Sequence, residues 1–198
     1  MPRIVVTEFL TLDGVMQAPG SPTEDRDGGF DYGGWQMSYF DDVFGEFVMN
    51  GMAESGGMLL GRRTYDIFAS HWPHQPADDP IAPMLNAMPK HVVSSTLSEP
   101  LPWENSHLIQ GDVPAGLARL KDGEGKDLHV IGSGGLVQTL VRHDLVDAYE
   151  LMIHPLVLGT GKRLFRDDAA DQQGLRLADS KIVGDGVAIL VYEPAEAG

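Results

Sequence analysis

The sequence predicts an α/β fold, a central mixed and mostly parallel β-sheet flanked by helices. Three observations carry that prediction. Short apolar runs rich in β-branched residues alternate with segments of helical periodicity along the chain. Several of these runs end in glycine, as strands do where they turn into a helix. Neither an internal repeat nor a linker-like stretch interrupts the alternation. The 198 residues, 42% of them hydrophobic, are therefore expected to form a single domain, 1–198, with a sizeable core.

Taken in order, Ile4 to Leu10 reads as a first strand, and Thr11-Leu12-Asp13-Gly14 as a turn. Residues 17 to 36 are rich in Gly, Pro and Asp but hold Phe30, Tyr32 and Trp35, which favours a pocket wall over a floppy linker. Ser38 is placed to cap the next helix, with Asp41 completing the capping pattern and Phe40, Val43, Phe44, Phe47 and Val48 forming its core stripe. Asp42 and Glu46 lie off that stripe. Met58-Leu59-Leu60 is a second strand, running through Gly61-Arg62-Arg63-Thr64 into a helix that reaches Phe68. Ile81 to Met88 is a short helix, His91-Val92-Val93 a strand ending in Ser94-Ser95-Thr96, and Pro100 to Asn105 a loop. Val113 to Lys121 is a helix, and Leu128 to Ile131 the central strand, followed by Gly132-Ser133-Gly134-Gly135 and a helix marked by Leu136, Val137 and Leu140. Ala148 to Ile153 is a strand that His154-Pro155 ends. Val187 to Tyr192 is the last strand, paired antiparallel after the Gly184-Asp185-Gly186 turn.

Composition narrows the function. A net charge of −15 argues against nucleic acid or anionic lipid as a partner. No apolar run reaches the ~20 residues that cross a bilayer, and Met1-Pro2-Arg3 leads straight into a strand rather than a signal peptide, so a cytoplasmic location is expected. The absence of cysteine excludes disulfides and thiolate chemistry. No metal is expected, because prolines break the helix that would align His71 and His74 beside Asp78-Asp79.

With only 14 Lys and Arg, clusters of cations are informative: Arg62-Arg63 and Lys162-Arg163. Three strands end in groups suited to a phosphorylated ligand, at Gly61-Arg62-Arg63-Thr64, Ser94-Ser95 and Gly132-Ser133-Gly134-Gly135. Ligands of open α/β sheets sit where such strand ends converge. Glycines let a backbone approach an anion, helix N-termini favour it, and guanidiniums hold it bidentately. A glycine-rich corner without any ligand is the alternative for the last of the three. Gly159-Thr160-Gly161-Lys162 lacks the spacing of a nucleotide-binding P-loop and reads as a turn, with Lys162 open to a substrate anion.

The order and spacing of Leu12-Asp13-Gly14, Leu60-Gly61-Arg62-Arg63-Thr64-Tyr65, Ser94-Ser95, Val130-Ile131-Gly132-Ser133-Gly134-Gly135 and Pro155-Leu156-Val157-Leu158-Gly159 resemble the dihydrofolate-reductase-like fold. Within it the chain is most similar to the riboflavin-biosynthesis branch, the reductase domain of the bifunctional deaminase-reductase, across residues 2 to 193, and to its stand-alone members. The resemblance implies NADPH as cofactor. Arg62 and Ser94, with Ser95 beside it, match the family's 2′-phosphate contacts. Arg63 and Thr64 match its pyrophosphate contacts, Gly61 lets the backbone approach the ligand, and Gly132 to Gly135, with Leu136 next, match the turn carrying the diphosphate beside the nicotinamide. Phe9 to Thr11, Val15 and Met16 would approach the nicotinamide, and Trp35 matches a substrate-loop tryptophan. A homodimer is implied as well.

Two departures stand out. Dihydrofolate reductases carry a glycine pair where this chain has Gly132-Ser133. Their substrate acid on the first helix falls near Asp41 or Asp42. Asp41 is accounted for as a capping residue, which makes Asp42 the candidate catalytic acid, expected to lie partly buried beneath Trp35. His154, beside a proline at a strand end, is a second candidate for the substrate side. The expected activity is NADPH-dependent hydride transfer to a C=N or C=O carbon of a small, heterocyclic substrate. It resembles that of the ribosylaminopyrimidine reductase of riboflavin synthesis, with Lys162-Arg163 available for a phosphate. Dihydrofolate reductase and a non-catalytic NADPH-binding dimer are the alternatives.

Overall fold

In a computed structural model that describes residues 1–165 and 173–195, the strands and α-helices follow one another as β1 (Ile4–Thr11), α1 (Asp42–Glu54), β2 (Gly57–Gly61), α2 (Arg62–His71), α3 (Ala82–Ala87), β3 (Lys90–Val93), β4 (Ser106–Ile109), α4 (Val113–Lys121), β5 (Leu128–Ile131), α5 (Gly134–Arg142), β6 (Ala148–His154), β7 (Leu175–Val183) and β8 (Val187–Pro194). The eight strands hydrogen-bond in the order β4-β3-β2-β5-β1-β6-β8-β7. β2, β3, β4 and β5 pair in parallel, while β6, β8 and β7 pair antiparallel. The sheet is thus mixed and mostly parallel, with its antiparallel strands at the C-terminal edge, as the sequence predicts. Two units interleave in sequence: Met1–Val5 with Gly51–Val146, and Val6–Asn50 with Asp147–Gly198.

In the first unit β2 is buried along Gly57–Leu60, the signature of a parallel strand covered on both faces. Met58 and Leu60 pack with Tyr65, Leu85, Met88, Val92 and Trp103. Helix starts are satisfied locally. Asp112 accepts the Ala115 N–H at 3.0 Å, and Asp79 accepts those of Ile81 and Ala82 at 2.8 Å each. The latter bonds account for an acid that sequence alone sets beside His71 and His74. Lys90 is buried, its ammonium donating to the carbonyls of Asn86 and Glu104 at 2.7 and 2.8 Å and lying 4.2 Å above the Trp103 ring. β4 occupies a segment whose polar Ser106 and His107 give no buried-strand pattern.

In the second unit β7 and β8 form the expected hairpin, Val183 facing Val187 across the glycine turn. Phe44 of α1 is buried against Met152, Val187 and Ile189. Two details of α1 differ from expectation. Its start is capped by Asp41 rather than Ser38, the Asp41 carboxylate accepting the Phe44 N–H at 2.7 Å. Val43 is exposed, because a helix beginning at Asp42 turns that position outward. The segment 17–36 is a folded wall, with Phe30 and Trp35 buried beside Val15 and Ala18. Its knot is buried Gln17, whose amide donates to the carbonyls of Asp25 and Asp27 and accepts the Lys162 N–H, while its own carbonyl takes the Trp35 indole N–H at 2.8 Å.

Candidate functional site

Parallel register brings the three predicted strand ends level. Gly61 pairs with Val93, so Ser94 follows one step beyond it, and Leu59 pairs with Val130, which sets Gly132 beside Gly61. The glycine turn is built by two consecutive left-handed residues, Gly132 at φ 59° and Ser133 at φ 56°. A Cβ on Gly132 would lie 3.0 Å from the Thr64 hydroxyl oxygen and 3.1 Å from its methyl, so glycine is required there for both backbone and space. Ser133 pays the left-handed strain of a non-glycine residue and, besides the Leu136 and Val137 N–H groups its carbonyl accepts, is held by three bonds of its amide and hydroxyl. Its N–H donates to Thr64 Oγ1 at 2.9 Å, its hydroxyl donates to the Ile131 carbonyl at 2.9 Å, and that oxygen accepts the Gly61 N–H at 3.0 Å. Thr64 is therefore both scaffold and candidate ligand. Its oxygen receives the Ser133 amide and its hydroxyl proton can be donated elsewhere.

Past Ser133, Gly134, Gly135 and Leu136 open the nine-residue α5, whose first turn presents the positive end of a helix dipole. Space beside Gly135 is open to 4 Å. Arg62 and Arg63 begin α2 and are exposed. Arg62 is steadied by Asp66 one turn on, at 2.9 Å. The serine pair divides its work. Ser94 is buried, its oxygen accepting the N–H groups of Thr96 and Leu97 at 3.1 Å each, whereas Ser95 is exposed. Ser94 is thus mainly a turn former with one proton to give, and Ser95 is the more open hydroxyl. These groups form a cradle matched to a chain of phosphates: left-handed backbone, a helix start, two guanidiniums and hydroxyls.

In the second unit the candidate substrate residues behave unequally. Trp35 and His154 are brought together, ring centroids 5.1 Å apart and nearly perpendicular. Phe44, Tyr39 and Phe9 add edges at 5.5, 5.6 and 6.1 Å from the imidazole. His154 is fully buried. Its Nδ1 lies 3.2 Å from the Leu10 carbonyl and 3.0 Å from that of Met152, which assigns the proton to Nδ1, while buried Nε2 has no hydrogen-bond partner. Burial among rings holds the imidazole below its ordinary pKa of 6.5, against the pull of the two carbonyls. Sequence reading left Phe9 outside this ring set and did not single out Tyr39. The signal for Tyr39 was its place four residues after Trp35, in the 3-10 turn Trp35–Tyr39.

Asp42 is corrected. It is exposed at the first turn of α1 rather than partly buried, because Asp41 takes the capping position and leaves the next side chain facing solvent. The Lys162-Arg163 pair is also not the open cation cluster expected. Lys162 is held by Asp25 at 2.7 Å and Asp27 at 3.0 Å, and Arg163 donates to the Asp13 carbonyl and carboxylate at 2.9 and 3.5 Å. Asp13 is the anchor of this corner. The Thr11 hydroxyl, above all, and the N–H groups of Gly159 and Leu158 lower its pKa to about 2.

Comparison with known proteins follows the same lines. The chain is 28% identical over 194 residues to the protein YyaP of Bacillus subtilis strain 168, covering 96% of this chain and 94% of that one. A solved structure of a Shewanella sp. PV-4 protein named for riboflavin biosynthesis superposes with a TM-score of 0.73 at 26% identity, over 99% of this chain and all of that one. Dihydrofolate reductase from Enterococcus faecalis superposes with a TM-score of 0.56 at 12% identity, over 98% of this chain and 97% of that one, a likeness of fold. The fold is dihydrofolate-reductase-like. Residues 2–190 match the model of the RibD C-terminal domain, and the chain belongs to that family.

Proposed function

We propose that this protein is an NADPH-dependent reductase that passes hydride to a C=N or C=O carbon of a small pyrimidine- or pterin-like substrate. The observation that carries the reading is the level set of strand ends at Gly61, Ser94 and Gly132, with a left-handed turn opening α5 beside Arg62 and Arg63. Such a cradle fits a diphosphate flanked by a further phosphate. Gly134 and Gly135 would receive the diphosphate on backbone N–H groups, with Arg63 and the Thr64 hydroxyl beside them and Leu136, whose own N–H is taken by the Ser133 carbonyl at 2.7 Å, lining the same turn. Arg62, with Ser94 and Ser95, would hold the 2′-phosphate. When bound, NADPH supplies the hydride. The protein's share is to fix the two reactants and exclude water, and in the second unit the rings of Trp35, Tyr39, Phe44 and Phe9 around His154 offer the dry aromatic surface for this. The family match and the Shewanella relative support a reaction of the riboflavin type, and the Enterococcus enzyme, solved with NADP(H), supports the cofactor. Dihydrofolate reduction is less well supported, since Asp42 is not the buried carboxylate that a pterin ring would need. We assign the accompanying proton to solvent. A homodimer is part of the proposal, and the exposed edge strand β7, with Leu177 and Ile182 outward, is consistent with one.

The test is a titration of NADPH and NADH followed by a cofactor-oxidation screen against aminopyrimidines, pterins and simple carbonyls. Tight NADPH binding with turnover of a heterocycle is expected. Failure to bind NADPH sinks the proposal, and binding without turnover of any electrophile leaves a sequestering protein in its place.

A further inference from the structure

The second unit leaves one buried polar atom of His154 unmet. Its Nε2 has no hydrogen-bond partner, although the same imidazole binds the Leu10 and Met152 carbonyls through Nδ1. Those two carbonyls fix the tautomer, so Nε2 of the neutral ring carries a lone pair and accepts. An acceptor left dry in this way is unfavourable, and it persists where something outside the fold completes it. Water suits the place poorly. A buried water takes about three polar partners, whereas Phe9, Trp35, Tyr39 and Phe44 pack their rings on this imidazole. The partner that fits an acceptor walled by rings is a flat ring with a donor on its edge.

His154 is fully covered in this state, so one wall must move before a ligand reaches it. Three of the walls are fixed by the fold. Trp35 is tied through its indole N–H to the Gln17 carbonyl at 2.8 Å, Phe44 is buried in α1, and Phe9 belongs to β1. Tyr39 is the exception. It is half-buried, ends the 3-10 turn Trp35–Tyr39, and follows exposed Met37 and Ser38. Its hydroxyl reaches the Pro155 carbonyl only at a long 3.5 Å, and the turn closes on a bond of 3.4 Å from the Phe40 N–H to the Met37 carbonyl. Swinging Tyr39 outward leaves strand and helix in place.

We propose that His154 is a specificity residue whose Nε2 accepts a ring N–H of the substrate once Tyr39 swings aside. Lactams and cyclic imides meet this demand. A ring with oxygen at the same edge would bury a second lone pair against the first, and the two carbonyls on Nδ1 keep the imidazole from turning away. The inference rests on the reductase reading above and narrows its substrates from C=N and C=O compounds at large to N–H heterocycles.

The experiment uses the NADPH-saturated protein with ¹⁵N-imidazole-labelled histidine, the His154 signals being assigned with His154→Gln. It is run at about pH 8, where an imidazole held below 6.5 is neutral. The probes are an aminopyrimidinedione and the two analogues in which one or the other ring N–H is replaced by oxygen, a change that conserves size. The parent ring is expected to bind and to move the His154 Nε2 resonance upfield. One of the two analogues is expected to bind at least ~10-fold more weakly and to leave that resonance in place. His154→Leu should close the gap, and Tyr39→Ala should speed association of the parent ring in stopped flow. Equal binding of all three probes overturns the proposal, as does parent binding that leaves Nε2 unmoved, or binding of none. A gap that survives in folded His154→Leu, or an unchanged association rate in Tyr39→Ala, counts against it equally. Should His154→Leu not fold, the wild-type titration decides. A chain that turns over an oxygen analogue as fast as the parent keeps the reductase assignment and loses this one. A chain that ignores NADPH yet binds the N–H ring at His154 does the reverse.

Discussion

Replacing Gly132 by alanine tests the cradle at its tightest point. The substitution places a Cβ on a residue at φ 59°, 3.0 Å from Thr64 Oγ1 and 3.1 Å from its methyl. The left-handed backbone alone costs a non-glycine residue about 1–2 kcal/mol. Relief of the contact requires Thr64 to move, which strains or breaks its bond from the Ser133 N–H, worth about 0.5–1.5 kcal/mol. The sum, roughly 1.5–3.5 kcal/mol, corresponds in a chain of this size to a melting temperature lower by about 3–14 °C. Thr64 and the α5 start would shift together, so NADPH affinity should fall as well. Gly135→Ala is the companion variant. Its Cβ meets nothing within 4 Å and sits in a helix, so stability should hold or rise slightly, whereas an incoming diphosphate would be obstructed. Scanning calorimetry and a fluorescence titration of NADPH read both effects. Unchanged melting and unchanged affinity in Gly132→Ala would refute the packing argument, and normal affinity in Gly135→Ala would reduce the turn to a structural corner.

Arg62→Ala should weaken NADPH binding by roughly tenfold or more while barely changing NADH binding, the charge-assisted bond being worth about 1.5–3 kcal/mol. Its exposed pair with Asp66 contributes about 0.3–0.5 kcal/mol, so stability should hardly move. Equal losses for both cofactors would contradict the assignment. Asp42→Asn should leave turnover of a screened substrate close to Glu46→Gln, since Asp42 is exposed; a drop of ~10²–10⁴-fold would restore it as the general acid. Lys90→Met should cost about 2–4 kcal/mol in urea unfolding, because the Asn86 and Glu104 carbonyls lose their ammonium donor; a neutral result would mean that water replaces it. His91, His129 and His154 are all held below 6.5, chiefly by burial. The unfolded chain therefore takes up protons that the folded one refuses, and stability should decline as pH falls below about 6.5 toward the lowered native values. A urea midpoint as high at pH 5.5 as at pH 7.5 would count against this.

The first unit was largely legible because its parallel strands are continuous apolar runs and its turns are punctuated by glycine. β2, β5 and the turn between β5 and α5 follow directly from Met58-Leu59-Leu60, Leu128 to Ile131 and Gly132 to Gly135. β4 was not legible, since Ser106 and His107 carry no buried-strand pattern. In the second unit the signals that failed were those that depend on partners far away in sequence. Lys162 reads as an open cation until Asp25 and Asp27 fold against it, and Gln17 reads as an ordinary loop residue although it ties that loop together. Asp42 was misjudged for a local reason: the sequence places Asp41 at the cap, but the direction in which the next side chain leaves the helix is set by the backbone, which turns Asp42 to solvent. His154 could be placed beside a proline from sequence, but its enclosure by Phe9, Trp35, Tyr39 and Phe44 could not.

The three bonds to Ser133 carry a consequence for the kinetics and thermodynamics of ligand capture. The turn ahead of α5 is tied to β2 and α2 by protein groups alone, so its shape is set during folding. Many loops that wrap an anion must first be ordered by it, and that ordering subtracts from the affinity. Here a phosphate would meet amides already aimed, with little backbone entropy left to surrender. Amide hydrogens of Gly61 and Ser133 should consequently exchange slowly even without ligand, and binding should change their protection little. The ordering that accompanies ligand capture then falls on exposed side chains such as Arg62 and Ser95.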